Sequence, residues 1–489
     1  MVFLSTGLNI TGPKRVDRKI SSCYFIPRQN NFQKGSFMKI QFLGATHTVT
    51  GSKYLIEHNR RKVLIDCGLF QGLKELRLRN REPFPVDPEK IDSVILTHAH
   101  IDHSGYLPLL MKQGFRGTVY CTPGTRDLCR ILLPDSGRLQ EEEAGYANRK
   151  GFSRHKPALP LYTQEDAERV LDLFRTIPYG KRHDLGDGLN LKLTRSGHII
   201  GSSFVALSNG KASILFSGDL GRENDLILRS PEFVTKSDYL LIESTYGDRI
   251  HDPRDPQDQI AEIINRTATR NGVIIVPAFS VGRTQTLLYV VHLLKIEGRI
   301  PDIPVYLNSP MSISATGIFF DYPGEHRLNP DQSAGLSNVA KYINSPEESR
   351  ALNEKNGPMI IISASGMATG GRVLHHLKAF APDPKNSIIF TGFQAAGTRG
   401  ASMLANAETV KIHGEYIPVR AEVNVVHNLS AHADQREILK WLSLFRNPPK
   451  TTFITHGEPQ AAQALREKIE GSLRWNCKIP VYLEVAELL

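Results

Sequence analysis

Four metal-binding side chains stand within six residues, His98-Ala99-His100-Ile101-Asp102-His103, directly after the apolar run Ser93-Val94-Ile95-Leu96. This cluster constrains the fold more than any other feature, because the chain must hold a strand end open to cations. The strand period is two, so His98 and His100 fall on one face and both imidazoles reach one ion. Asp102 and His103 come where the chain turns into Tyr106-Leu107-Pro108-Leu109-Leu110, in position to face a neighbouring ion. Imidazole and carboxylate donors suit zinc, manganese or iron, and the lack of thiolate argues against a closed structural zinc site. Histidine supplies only 17 of 489 residues, so three in one hexapeptide are not scatter.

A chain of 489 residues exceeds what one core usually organises, which predicts two domains. No apolar run approaches the roughly 20 residues that cross a bilayer. The five cysteines, Cys23, Cys67, Cys121, Cys129 and Cys477, are odd in number and form no C-x-x-C pair. That pattern fits a reducing compartment, and the cytoplasm is the expected location. The net charge of +10 suggests nucleic acid, but about half of the excess sits in Lys14, Arg15, Arg18, Lys19, Arg28 and Lys34. Residues 1–38 therefore read as a basic, unstructured extension without a secretory h-region, and the body is only mildly basic.

Along the body, strands are expected at 53–57, 62–66, 93–97, 117–121, 189–194, 203–207, 212–216 and 239–242, with a helix at 125–133. Mixed alternating and wholly apolar patterns predict sheets packed face to face under outer helices, an α/β sandwich. From about residue 250 the rhythm changes to helix 257–270, strand 272–277, helix 283–295 and strand 304–307. A loop-rich stretch follows, then strand 359–363, helix 372–379 and strand 387–391. Continuously apolar strands alternating with helices predict a parallel, Rossmann-like sheet covered on both faces. Helix 435–445, strand 451–455, helix 460–469 and strand 480–483 then return to the first pattern, so the second domain is read as an insertion. The expected boundaries are 39–249 and 431–489 for the sandwich and 250–430 for the insertion.

Further ligand-type residues end apolar strands and lead into loops, where sites collect on layered α/β folds. Asp66 follows Val63-Leu64-Ile65, His198 stands in Ser196-Gly197-His198, Asp219 in Ser217-Gly218-Asp219, and His456 after Phe453-Ile454-Thr455. Asp66 is placed to orient a ligand histidine through a hydrogen bond. The ordered set Asp66, His98-x-His100-x-Asp102-His103, His198, Asp219 and His456 resembles the metallo-β-lactamase superfamily, over roughly residues 39–489. The resemblance implies an αββα sandwich and two Zn2+, with Mn2+ as the other option. His98, His100 and His198 would take one ion, Asp102, His103 and His456 the other, and Asp219 would bridge them. It also implies a metal-bound hydroxide as the nucleophile.

The insertion lies between Glu243, in Glu243-Ser244-Thr245-Tyr246-Gly247, and His432, in Ser430-Ala431-His432-Ala433-Asp434. This arrangement looks like the β-CASP nucleases, whose three later motifs would fall on Glu243, His432 and His456. By that resemblance the chain is a metal-dependent ribonuclease acting on single-stranded RNA, endo- or exonucleolytically, with no membrane partner and no oligomeric state fixed by its sequence. His432, held by Glu243, would give a proton to the departing oxygen. A small-molecule hydrolase of the same superfamily, such as a thioesterase or lactonase, and a non-catalytic scaffold subunit are the competing readings. Loops after the inserted strands offer substrate contacts: Arg283, Ser309, Ser363, Ser365, Gly366 and Arg399, from small residues that admit phosphates and arginines that add charge.

Overall fold

Apolar runs bounded by turns form two seven-stranded sheets that bury their facing sides against each other. The computed structural model describes residues 38–151 and 155–489, so the reading of 1–38 as unstructured falls, Met38 apart, outside the described residues. One sheet runs Val485–Leu488, Met38–Phe42, Tyr54–His58, Arg61–Ile65, Ser93–Ile95, Thr118–Cys121, Phe174–Thr176. The other runs Cys477–Lys478, Thr451–Thr455, Tyr239–Glu243, Ser213–Phe216, Ser203–Ser208, Asn190–Arg195, Arg182–Asp184. Alternate residues meet between them, Ile40, Ile56, Val63 and Ile65 from the first against Leu191, Val205, Ile214 and Phe453 from the second. On the outer face of the second sheet, Ile438, Trp441, Leu442, Leu465 and Ile469 of two helices cover Leu215, Leu240 and Ile454. The layers are therefore α, β, β, α.

A third sheet, ordered Lys341–Tyr342, Val305–Leu307, Met359–Ser363, Val273–Pro277, Ser387–Phe390, Glu422–Val425, is parallel throughout. Its central strands, VIIVP and MIIIS, are buried along their whole length. Ile274 and Val276 pack with the helix Arg283–Ile296, and Ile275 and Ile361 with Val373–Phe380. Burial on both faces is why these strands lack alternation. No helix among the described residues is long and apolar enough to cross a membrane.

Three expectations need correction. The strand expected at 480–483 does not form, because Leu483 takes a left-handed φ of 67°. The chain turns there, and Val485–Leu488 pairs with Met38–Phe42 instead. The helix expected at 125–133 runs from Pro123 to Lys150. Pro134 removes one backbone N–H, and packing against the helices Gln164–Val170 and Pro310–Asp321 carries the helix past it. The loop-rich stretch contains the helices Pro310–Asp321, Pro330–Asn338 and Pro346–Leu352.

Candidate metal centre

Parallel pairing brings the strand ends to one edge. Ile65 lies opposite Ile95, and Glu243 opposite Thr455, so Asp66 comes beside the residues leading to His98, and Glu243 beside His456. Asp66 and His456 both hold left-handed backbone, with φ of 58° and 49°. Such strain persists only where the surroundings over-determine it, as they do around functional sites.

The structure brings the seven ligand-type side chains together in two groups. In the first, His100 Nδ1 lies 3.1 Å from His98 Nε2 and 3.2 Å from His198 Nε2. Asp219 Oδ2 stands 3.3 Å from each of the outer two nitrogens. In the second, His103 Nε2 is 3.1 Å from His456 Nε2, and Asp102 Oδ2 is 3.5 Å from His456 Nε2 and 3.9 Å from His103 Nε2. The other Asp219 oxygen, Oδ1, is 3.2 Å from His103 Nε2. One carboxylate thus gives an oxygen to each group.

These residues fit divalent cations. Ligands about 2.0–2.1 Å from a tetrahedral zinc lie about 3.3 Å from one another, the spacing of the first group. Asp219 Oδ1 is buried and makes no hydrogen bond to any described residue. Its nearest polar neighbour is the ligand-type nitrogen His103 Nε2, which makes no well-aligned hydrogen bond to it, and a cation between the groups would satisfy both. The protonation states also fit. Burial pushes His98 down to about 3 and His100 to about 4, and it holds His198 well below the ordinary imidazole value, so their lone pairs are free. Burial works against the charge on Asp219, but the surrounding imidazoles, His103 foremost, keep the carboxyl well below its usual range. Burial likewise opposes charge on Asp102, and the neighbouring His456 and His103 imidazoles outweigh it and lower that carboxyl.

Asp66 sits behind the ligands. Its Oδ2 is 2.7 Å from His103 Nδ1 and accepts the Thr97 hydroxyl at 2.9 Å, while its Oδ1 accepts the Thr97 backbone N–H at 2.7 Å. His98 Nδ1 lies 3.1 Å from the same Thr97 hydroxyl. Burial raises the Asp66 carboxyl against the opposing pull of His103. His103 is depressed by burial and lifted further by Asp219 and Asp66, so it ends well above the ordinary imidazole value.

Glu243, 1% exposed, accepts from His432 Nδ1 at 2.9 and 3.1 Å and from the Leu220 N–H at 2.6 Å. His432 Nε2 points to the ligands, 3.9 Å from Asp219 Oδ2. Burial pushes the imidazole down, and the Glu243 and Asp219 carboxylates override it, so His432 is raised. His432 keeps 18% of its side chain exposed and Asp102 21%, so solvent reaches the cluster beside them. Sequence reasoning missed His251, whose buried ring donates from Nε2 to the His432 carbonyl at 2.9 Å. Its backbone N–H is held by Asp434 Oδ2 at 2.9 Å.

The six substrate candidates divide. Arg283 opens the 14-residue helix Arg283–Ile296, is 8% exposed, and makes no side-chain hydrogen bond or ion pair with any described residue. Burial lowers its guanidinium to about 10, with Asp225 and Tyr246 nearby. Gly366 lies against the Phe279 ring, which in turn is 6.3 Å from the His100 ring. The Ser365 hydroxyl is 3.0 Å from that of Thr369. The Ser309 hydroxyl caps its own helix at the Ser312 N–H, and the buried Ser363 hydroxyl donates to the Asn308 carbonyl. Arg399 donates to the carbonyls of Lys411, Ala368 and Thr369 and so staples its loop.

A sandwich with this donor set at its strand ends and a parallel insertion beside it defines a metallo-hydrolase class. Three family models match: the metallo-beta-lactamase superfamily over residues 49–270, the Beta-Casp domain over 284–403, and the Zn-dependent metallo-hydrolase RNA specificity domain over 416–480. The chain is 38% identical over 440 residues to Ribonuclease TTHA0252 of Thermus thermophilus, covering 88% of this chain and 95% of that protein. It is 31% identical to the transcription termination factor FttA of Methanosarcina mazei and to that of Pyrococcus abyssi, each over 93% of this chain and 72% of the relative. A crystal structure of a protein of unknown function from Enterococcus faecalis matches over 92% of this chain and all of that one, with a TM-score of 0.50 at 15% identity, a likeness of fold. The chain belongs to the β-CASP family of the metallo-β-lactamase superfamily.

Proposed function

We propose that this protein is a zinc-dependent ribonuclease that hydrolyses phosphodiester bonds of single-stranded RNA. The observation that carries the reading is the pair His432–Glu243, a carboxylate-held imidazole whose free Nε2 points at the ligand cluster. Hydrolysis of a phosphodiester needs a proton for the departing oxygen, whereas the weakly basic thiolate released by a thioesterase has no comparable need. The relatives named as a ribonuclease and as termination factors, and the RNA specificity domain over 416–480, support RNA as the substrate.

His98, His100, His198, Asp102, His103, His456 and Asp219 would hold the zinc ions, which when bound would supply Lewis acidity toward water and the phosphoryl oxygens. The chain's own residues do the rest. Asp66 fixes the His103 ring through Nδ1 so that Nε2 faces the site. Glu243 fixes the tautomer of His432 and favours its protonated form, and His432 passes the Nε2 proton to the oxygen that leaves phosphorus. Arg283, buried at a helix N-terminus with no partner among the described residues, supplies a fixed positive charge for a backbone phosphate, with Ser365 and Gly366 on the neighbouring loop. The four described cysteines are buried free thiols, which supports a cytoplasmic location.

The test sets end-labelled RNA and bis-p-nitrophenyl phosphate beside a thioester, with zinc content measured on the same sample. RNA cleavage that needs zinc is expected, and rapid thioester turnover with inert RNA overturns the reading. Arg283→Met is expected to weaken RNA binding across sequences and to reduce the slope of log K against log salt by about one, the signature of one lost phosphate contact. Filter binding at several salt concentrations measures it.

A further inference from the structure

The Asp66 carboxylate stands behind His103 and the Glu243 carboxylate behind His432, and their surroundings repeat one pattern. Asp66 takes His103 directly and reaches His98 through the Thr97 hydroxyl. Glu243 takes His432 directly, and its Oε2 accepts the Thr245 hydroxyl at 2.5 Å. That hydroxyl is 3.1 Å from His456 Nδ1. Each carboxylate therefore serves two histidines, one in contact and one across a threonine.

We propose that Thr245 is a positioning residue, which sets the tautomer of His456 and pins Glu243 against His432, so that the metal-ligand end and the proton-donor end of the site form one hydrogen-bonded unit.

The direction of each bond follows from what the groups offer. His456 Nε2 faces His103 Nε2 at 3.1 Å and Asp102 Oδ2 at 3.5 Å, so it is the nitrogen turned to a cation and must keep its lone pair. Nδ1 then carries the proton, and Thr245 Oγ1 accepts it. A threonine hydroxyl has one hydrogen and two lone pairs. Its hydrogen has two acceptors within reach, Glu243 Oε2 at 2.5 Å and the His456 carbonyl at 3.2 Å. The closer, charged acceptor wins. Glu243 then has all its donors in place: Leu220 N–H on Oε1, Thr245 on Oε2, and His432 Nδ1 shared between the two oxygens. Thr245 is 3% exposed, so water does not substitute for it.

The inference rests on the ribonuclease reading only in its cleavage arm. Thr245→Val keeps the shape and removes the hydroxyl, and Thr245→Ser keeps the hydroxyl. Zinc affinity is read by competition with a chelating dye, without RNA. Thr245→Val is expected to bind the weaker zinc equivalent about 10–100-fold less tightly, the usual loss when a partner behind a ligand is removed. Thr245→Ser stays within about threefold of wild type. On RNA, Thr245→Val and Glu243→Gln are each expected to slow cleavage, and the double variant to be little slower than the worse single one, because they act through one unit. Additive losses overturn the coupling. Wild-type zinc affinity in Thr245→Val, or an equal loss in Thr245→Ser, overturns the role of the hydroxyl. If Thr245→Val melts well below wild type, Thr245→Ser and Thr245→Ala decide in its place, with Thr245→Ala alone expected to lose zinc. Inert RNA with wild-type protein counts against the ribonuclease reading, while the zinc arm still decides the inference.

Discussion

Asp219→Asn is expected to abolish cleavage, by about 10³-fold or more, and to lower zinc content in both groups together. Each oxygen of Asp219 belongs to a different group, Oδ2 with His98 and His198, Oδ1 with His103. An amide keeps the shape but offers one acceptor and no charge, so neither group is left complete. A loss of about 4 kcal/mol of transition-state stabilisation corresponds to the expected drop, and two-cation sites supply several kcal/mol of this kind. A second measurement separates lost metal from lost fold. Zinc at a hundredfold excess over Kd stabilises the native state by about 2.7 kcal/mol, so wild-type protein melts higher when zinc is added. The Asp219→Asn variant should melt cooperatively and respond much less to zinc. A variant that keeps two tight zinc equivalents and still cleaves RNA refutes the shared carboxylate.

The cluster of ligand-type residues was legible because four of them crowd into 98–103 and the others each follow a strand and lead into a loop. Neighbouring parallel strands deliver their ends to the same edge, so Asp66 comes beside the residues leading to His98 in the first sheet, and Asp219, Glu243 and His456 come together in the second. Residues that act through hydrogen bonds left no such mark. Thr97, Thr245 and His251 lie in or near recognisable motifs, but a buried threonine or histidine reads the same whether it braces a ligand or fills a core. The loops of the insertion are ambiguous in sequence for a related reason. A polar residue after a strand serves a helix cap or a loop staple as well as a phosphate: Ser309 caps a helix, and Ser363 and Arg399 bond to loop carbonyls. The helices within 308–358 did carry a signal in Ser309-Pro310, Asn329-Pro330 and Ser345-Pro346, each a capping residue followed by proline at the first helical position. Strand pattern alone passes over it. The turn at Leu483 carried none, since nothing in the residue type announces a left-handed backbone.

His432→Ala is expected to slow RNA cleavage about 10³-fold while zinc content stays at the wild-type level, since His432 belongs to neither ligand group. Retained metal with lost activity is the mark of a missing proton donor. The pH dependence gives an independent sign. Burial lowers His432 and the two carboxylates raise it further than burial depresses it, so the imidazole stays protonated to higher pH than an ordinary histidine. As an acid it is active below its pKa, and activity falls as pH rises through that value. Of the two raising charges, Asp219 is the one that bound cations would neutralise, which would leave Glu243 to set the alkaline limit. Glu243→Gln should therefore move the alkaline limb of kcat to lower pH and slow cleavage by about 10–100-fold at neutral pH. His432→Ala should remove that limb. An alkaline limb unmoved in Glu243→Gln and still present in His432→Ala would assign the proton to another group, and the carboxylate–imidazole pair would then only buttress the loop that His251 holds from behind.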